Sequence, residues 1–136
     1  MRIRNVSTVL ALALLLGACG STGSSSATSS SPRPSSTAKL SIVSPMNGEI
    51  IHGSTVQLKM SLSGAKIVPA TTSHIVPNQG HIHVYLDGQV VSMTFGLTQT
   101  VQVTPGRHVI TAEFVASDHQ PFDPRVQTGV EFEVKP

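Results

Sequence analysis

His81-Ile82-His83-Val84-Tyr85-Leu86-Asp87-Gly88-Gln89-Val90-Val91-Ser92-Met93-Thr94-Phe95 is the stretch whose reading decides the fold. Side chains on a strand point to the two faces in turn, so Ile82, Val84 and Leu86 share one face and His81, His83 and Tyr85 the other. The aliphatic set makes the better core face, which turns the two histidines and the tyrosine away from it. Asp87-Gly88 follows at once, and both residues tolerate the positive φ that a two-residue hairpin turn demands. The segment therefore predicts an antiparallel hairpin, His81–Leu86 against Gln89–Phe95.

The same grammar extends in both directions. Short β-rich runs cover Lys39–Val43, Ser54–Leu62, Thr98–Val103, Arg107–Val115 and roughly Val126–Val134, separated by Gly, Pro, Asn and Asp. No stretch after Ala38 sustains a helical period. About seven short strands in one domain of this size predict an all-β fold, a sandwich of two sheets. Alternation selects Ile42, Val56, Leu58, Met60, Ile82, Val84, Leu86, Ile110, Phe114 and Phe132 as core. It leaves Glu131 and Glu133 outside and places His108 at the core edge, bonded to backbone.

The N-terminal part has a different character. Arg2 and Arg4 precede an apolar run from Val9 to Leu16, which is too short to span a bilayer and reads as an export signal. Leu16-Gly17-Ala18-Cys19 ends it, and Cys19 is the single cysteine of the chain. These four residues resemble the lipobox of bacterial lipoproteins, in which the cysteine is lipidated and becomes the first mature residue. That resemblance implies a signal peptide over 1–18, an acyl anchor of the palmitate type on Cys19, and attachment to the cell membrane or outer membrane on the extracytoplasmic side. From Gly20 to about Thr37 the chain is mostly Ser, Thr, Gly and Pro, with little to bury. The expected organisation is a lipidated Cys and flexible linker over 19–37, then a folded domain over 38–136.

Setting aside Arg2 and Arg4, seven Lys and Arg face seven Asp and Glu. A neutral domain without a basic stripe argues against a nucleic-acid partner. With Cys19 assigned to lipid there is no internal disulfide, and stability must come from apolar burial.

Ser44-Pro45-Met46-Asn47-Gly48-Glu49, the Leu86-Asp87-Gly88 turn and Pro105-Gly106-Arg107-His108 together resemble bacterial Ig-like domains of exported proteins. The resemblance covers most of 39–136 and implies an Ig-like or fibronectin-type-III-like β-sandwich. Val68-Pro69-Ala70 followed by Gly80-His81-Ile82-His83 also resembles a group of small exported bacterial domains of unknown function that carry Gly-His-x-His before an apolar strand. The chain lacks the core Trp and Cys pair of immunoglobulin domains.

Six histidines against five Phe and Tyr and no Trp are the notable chemistry. In a sandwich of this kind, the loop before His81 and the loop after Val115 lie at one end. That end collects His74, His81, His83, His119, Asp118 and Asp123, with Met93 within reach. His81 and His83, two apart on a strand, point the same way and can share one ion. A third imidazole from His119 or His74 would complete a nitrogen-rich site for zinc or copper, and a Met93 thioether would favour copper. A His-x-His pair is also ordinary strand surface, and Asp118-His119 a local hydrogen-bonded loop. There is no Gly-x-Ser-x-Gly elbow, no free cysteine nucleophile and no phosphate loop, so no enzyme activity is expected. Two functions compete. One is a non-catalytic binding or scaffolding module of the cell envelope, meeting an envelope-protein or cell-wall partner through Tyr85, Asp118 and Asp123. The other is a copper- or zinc-binding envelope protein.

Overall fold

The computed structural model describes residues 32–68 and 74–136. The expected signal peptide, Cys19, most of the linker and the Pro69-Ala70 turn lie outside the described residues. Nine strands occur among those described: β1 (Lys39–Ser44), β2 (Glu49–His52), β3 (Thr55–Ser63), β4 (Lys66–Ile67), β5 (Gln79–Leu86), β6 (Gln89–Thr94), β7 (Thr98–Gln102), β8 (Gly106–Ala116) and β9 (Pro121–Lys135). They form a three-stranded sheet, β1-β3-β7, and a larger one ordered β2-β9-β8-β5-β4, with β6 also paired to β5.

The core lies between the sheets. Val56, Leu58 and Met60 of β3 meet Ile82 and Val84 of β5, Ile110, Ala112 and Phe114 of β8, and Phe132 and Val134 of β9, all buried. Ile42 and Leu86 are half-buried against this cluster. The alternation read from β5, β8 and β9 is thus the alternation of the fold. Asp87 at φ 50° and Gly88 at φ 81° make the β5–β6 turn, as their residue types require.

Three features depart from the sequence reading. First, β2 and β4 have no counterpart in it. β2 is four residues pairing in parallel with the end of β9, Glu49 opposite Phe132, and β4 is two residues beside Gln79 and Gly80. Second, β9 begins at Pro121 instead of Val126, so the expected loop to Arg125 shrinks to Ser117–Gln120. Pro121 and Pro124 fit in β9 because β2 covers only its far end, and proline is tolerated on an edge. The extension buries Phe122, whose ring stacks on Phe114 at 5.5 Å. Third, the stretch expected as linker is docked at its C-terminal end. Ser36 Oγ and the Thr37 amide both donate to Asn78 Oδ1, at 2.7 and 2.8 Å, and Ala38 is buried.

Candidate metal centre

The outward face of the larger sheet, next to its β8–β9 turn, carries the chemistry. β5 pairs with β8 so that Gly80 meets Ala116, His81 meets Val115 and His83 meets Glu113. Gly80 is required there, because a Cβ would run into the Val115 carbonyl oxygen. This close approach brings β5 tightly onto β8 at the point where His81 begins.

The turn after β8 supplies the third ring. His119 N donates to Ala116 O at 3.0 Å, Ala116 N donates to Gln120 O at 3.0 Å, and Asp118 Oδ1 accepts from Gln120 N at 3.1 Å. His119 sits in the left-handed region at φ 63°. A non-glycine residue holds that conformation when its surroundings impose it. The result folds the His119 ring back over the sheet, 4.4 Å from the His81 ring and 5.5 Å from that of His83.

The three ligand atoms converge. His81 Nε2 lies 3.1 Å from His83 Nε2 and 3.0 Å from His119 Nδ1, and the last two are 3.3 Å apart. An imidazole nitrogen carries either one proton or one lone pair, so three nitrogens in mutual contact cannot satisfy all three pairs by hydrogen bonding. A cation above their triangle can accept all three lone pairs. Tetrahedral zinc with bonds of about 2.0–2.1 Å holds its nitrogens roughly 3.3 Å apart, close to the separations here. The group can therefore hold a metal ion.

Burial and neighbouring charge favour the neutral, metal-binding form of His81 and His83. His81 is fully buried and His83 nearly so, although both face away from the inter-sheet core. Burial first, then the neighbouring His119 and His83, brings the His81 pKa down to about 4. Burial and His119 also lower His83, while Glu113 pulls the other way. Both rings are neutral at pH 7. Phe95 covers His81 at 5.4 Å between ring centroids, and His81 Nδ1 has no hydrogen-bond partner among the described residues.

The other candidates are placed differently. His74 is exposed and stands outside the three-histidine group. Met93 is opposite His83 on β6, sharing its face, and is half exposed. Tyr85 donates its hydroxyl to Glu113 Oε2 at 3.3 Å, so it serves the face internally. Asp118 is held by Arg33, and Asp123 is exposed on β9. His108, at the opposite end, bonds Thr104 O and Asp87 Oδ2, both at 2.7 Å, and a shallow groove beside it contains none of the three clustered histidines.

Sequence reasoning missed Glu113 and Arg33 as parts of this face. Glu113 is buried and clamped by Arg125 through Nε and Nη2, both at 2.6 Å. Strand parity was the available signal, since Glu113 falls on the face opposite Ile110, Ala112 and Phe114. Nothing in the sequence marks Arg33.

No family model matches the chain, and no curated protein matches it. Among solved structures, the fibronectin(III)-like modules of Clostridium thermocellum CbhA are similar at 14% identity and a TM-score of 0.52, over 72% of this chain and 46% of that one. The domain has a fibronectin(III)-like fold. An engineered protein aligns with a TM-score of 0.45 at 14% identity, over 73% of this chain and 20% of its own. The chain thus spans less than half the length of either structure.

Proposed function

We propose that this protein is a lipid-anchored, extracytoplasmic, non-catalytic module that binds one copper or zinc ion through His81, His83 and His119. The convergence of their three nitrogens at 3.0–3.3 Å carries the reading. Imidazole nitrogens suit either metal, and three protein nitrogens leave one position of a tetrahedral ion for water, an outside ligand or the Met93 thioether. The fibronectin(III)-like fold fits a binding module, and the Cys19 motif supports attachment through acyl chains.

Calorimetric titration of the full chain with Cu(II) and with Zn(II) tests the site. One ion per chain with micromolar or tighter affinity at pH 7 is expected, and His81→Ala/His83→Ala should abolish it while leaving the β circular dichroism unchanged. No heat with either metal, or binding that survives the double variant, overturns the proposal. Cys19→Ala should abolish lipid labelling, and labelling that persists would remove the anchor from the reading.

A further inference from the structure

The turn that bears His119 is held by a residue distant in sequence. The Arg33 guanidinium donates to acceptors on both sides of His119: Asp118 Oδ2 at 2.6 Å and Oδ1 at 3.0 Å, Gln120 O at 3.1 Å and Pro121 O at 2.9 Å. The next residue joins in, since Asp123 N donates to Pro34 O at 3.0 Å. His81 and His83 are fixed by the β5 ladder, whereas His119 stands on a turn in a left-handed conformation. The turn's internal hydrogen bonds shape its backbone, and the Arg33 fork ties that backbone to a separate segment of chain. A guanidinium suits the task because its planar fork can bind a carboxylate through two nitrogens and still reach carbonyls, which a lysine ammonium cannot match.

We propose that Arg33 is a positioning residue for the third metal ligand, so that docking of the segment 33–37 and metal binding at the three histidines favour each other. The inference rests on the metal-binding reading. Linkage makes the effect reciprocal: whatever factor docking adds to metal affinity, metal adds to docking. The ion pair is partly exposed on both sides, so its contribution to global stability is small. Its effect falls on where His119 points.

The test uses the full chain and Cu(II). Copper affinity is measured by competition titration, and the number of coordinated nitrogens is read from the electron paramagnetic resonance spectrum, for wild type, Arg33→Ala, Arg33→Lys and His119→Ala. Loss of partners that orient a ligand typically weakens metal binding 10–100-fold. Arg33→Ala should therefore bind at least about tenfold more weakly and show two nitrogens instead of three, the same number expected of His119→Ala. Arg33→Lys keeps the charge without the fork and should fall between. In wild type, copper should slow hydrogen exchange at the Asp123 amide, which bonds Pro34, and this slowing should vanish in His119→Ala. Arg33 lies outside every strand, so the variants are expected to keep the sandwich, and circular dichroism of each apo form checks this. Three nitrogens and wild-type affinity in Arg33→Ala overturn the positioning role alone. A wild-type chain that binds neither copper nor zinc overturns the metal reading and this inference with it.

Discussion

Truncating Arg125 is expected to harm the domain more than neutralising its partner Glu113. The pair is one-sided: the Glu113 side chain is 1% exposed, whereas that of Arg125 is 55% exposed. In Arg125→Ala the buried carboxylate loses both of its 2.6 Å bonds and keeps the Tyr85 hydroxyl at 3.3 Å. Breaking a fully buried pair this way costs about 3–5 kcal/mol. Water can enter the gap left by a half-exposed arginine, so about 2–4 kcal/mol is expected here. Glu113→Gln leaves no stranded charge, since Arg125 can turn to solvent, and should cost about 1 kcal/mol. Urea unfolding of both variants at pH 7 with chelator present measures the difference. Arg125→Ala costing no more than Glu113→Gln would refute the assignment of Glu113 as a buried charge that depends on Arg125. Because Glu113 sits opposite His83 in the ladder, the freed carboxylate should also favour a nearby cation. Added zinc should then restore more stability to Arg125→Ala than it adds to wild type.

Phe114→Ala removes a fully buried ring stacked on Phe122 and should cost about 3–5 kcal/mol in the same assay. Gly80→Ala drives a methyl into the Val115 carbonyl, so it should lower the melting temperature and weaken copper binding together, because His81 is the next residue. The hydrogen bond from His108 to Asp87, and the Thr104 carbonyl, raise the His108 pKa against the opposing effect of burial. Its contribution is therefore fully present below the ordinary histidine value of about 6.5 and fades as pH rises through the raised value. Asp87 is shifted down, chiefly by its bond from the Val109 amide and then by His108, so its share is lost only in acid. The stability gap between wild type and Asp87→Asn should narrow as pH is raised from 6 to 9, and a gap that widens would reverse the assignment.

Much of the fold was legible because its logic is local. Parity within β5 separated Ile82 and Val84 from His81 and His83, and Asp87-Gly88 announced its own turn. What escaped was tertiary. β2 is a strand only because the end of β9 lies beside it, and Pro121-Phe122-Asp123-Pro124 reads as loop until its edge position is known. At the site, alternation assigned His81 and His83 to an outer face, and an outer face reads as wet. Their burial comes from Phe95 and the His119 turn, which reach them from other parts of the chain. The same blindness hid Glu113, a charge on an outward position that neighbouring strands cover. Arg33 lay in a segment whose composition signals a linker, and composition carries no information about one side chain finding a carboxylate 85 residues away.

The division of the three histidines between a strand and a late turn also sets an order of events for a chain that emerges from its N-terminus during synthesis. His81 and His83 emerge together, but His119 takes its place only when the β8–β9 hairpin closes, and that hairpin draws on the final strand, Pro121–Lys135. An ion met earlier would find two imidazoles on an unpaired segment. Full three-nitrogen capture is thus a property of the finished sandwich, which would make a bound ion a report on completed folding.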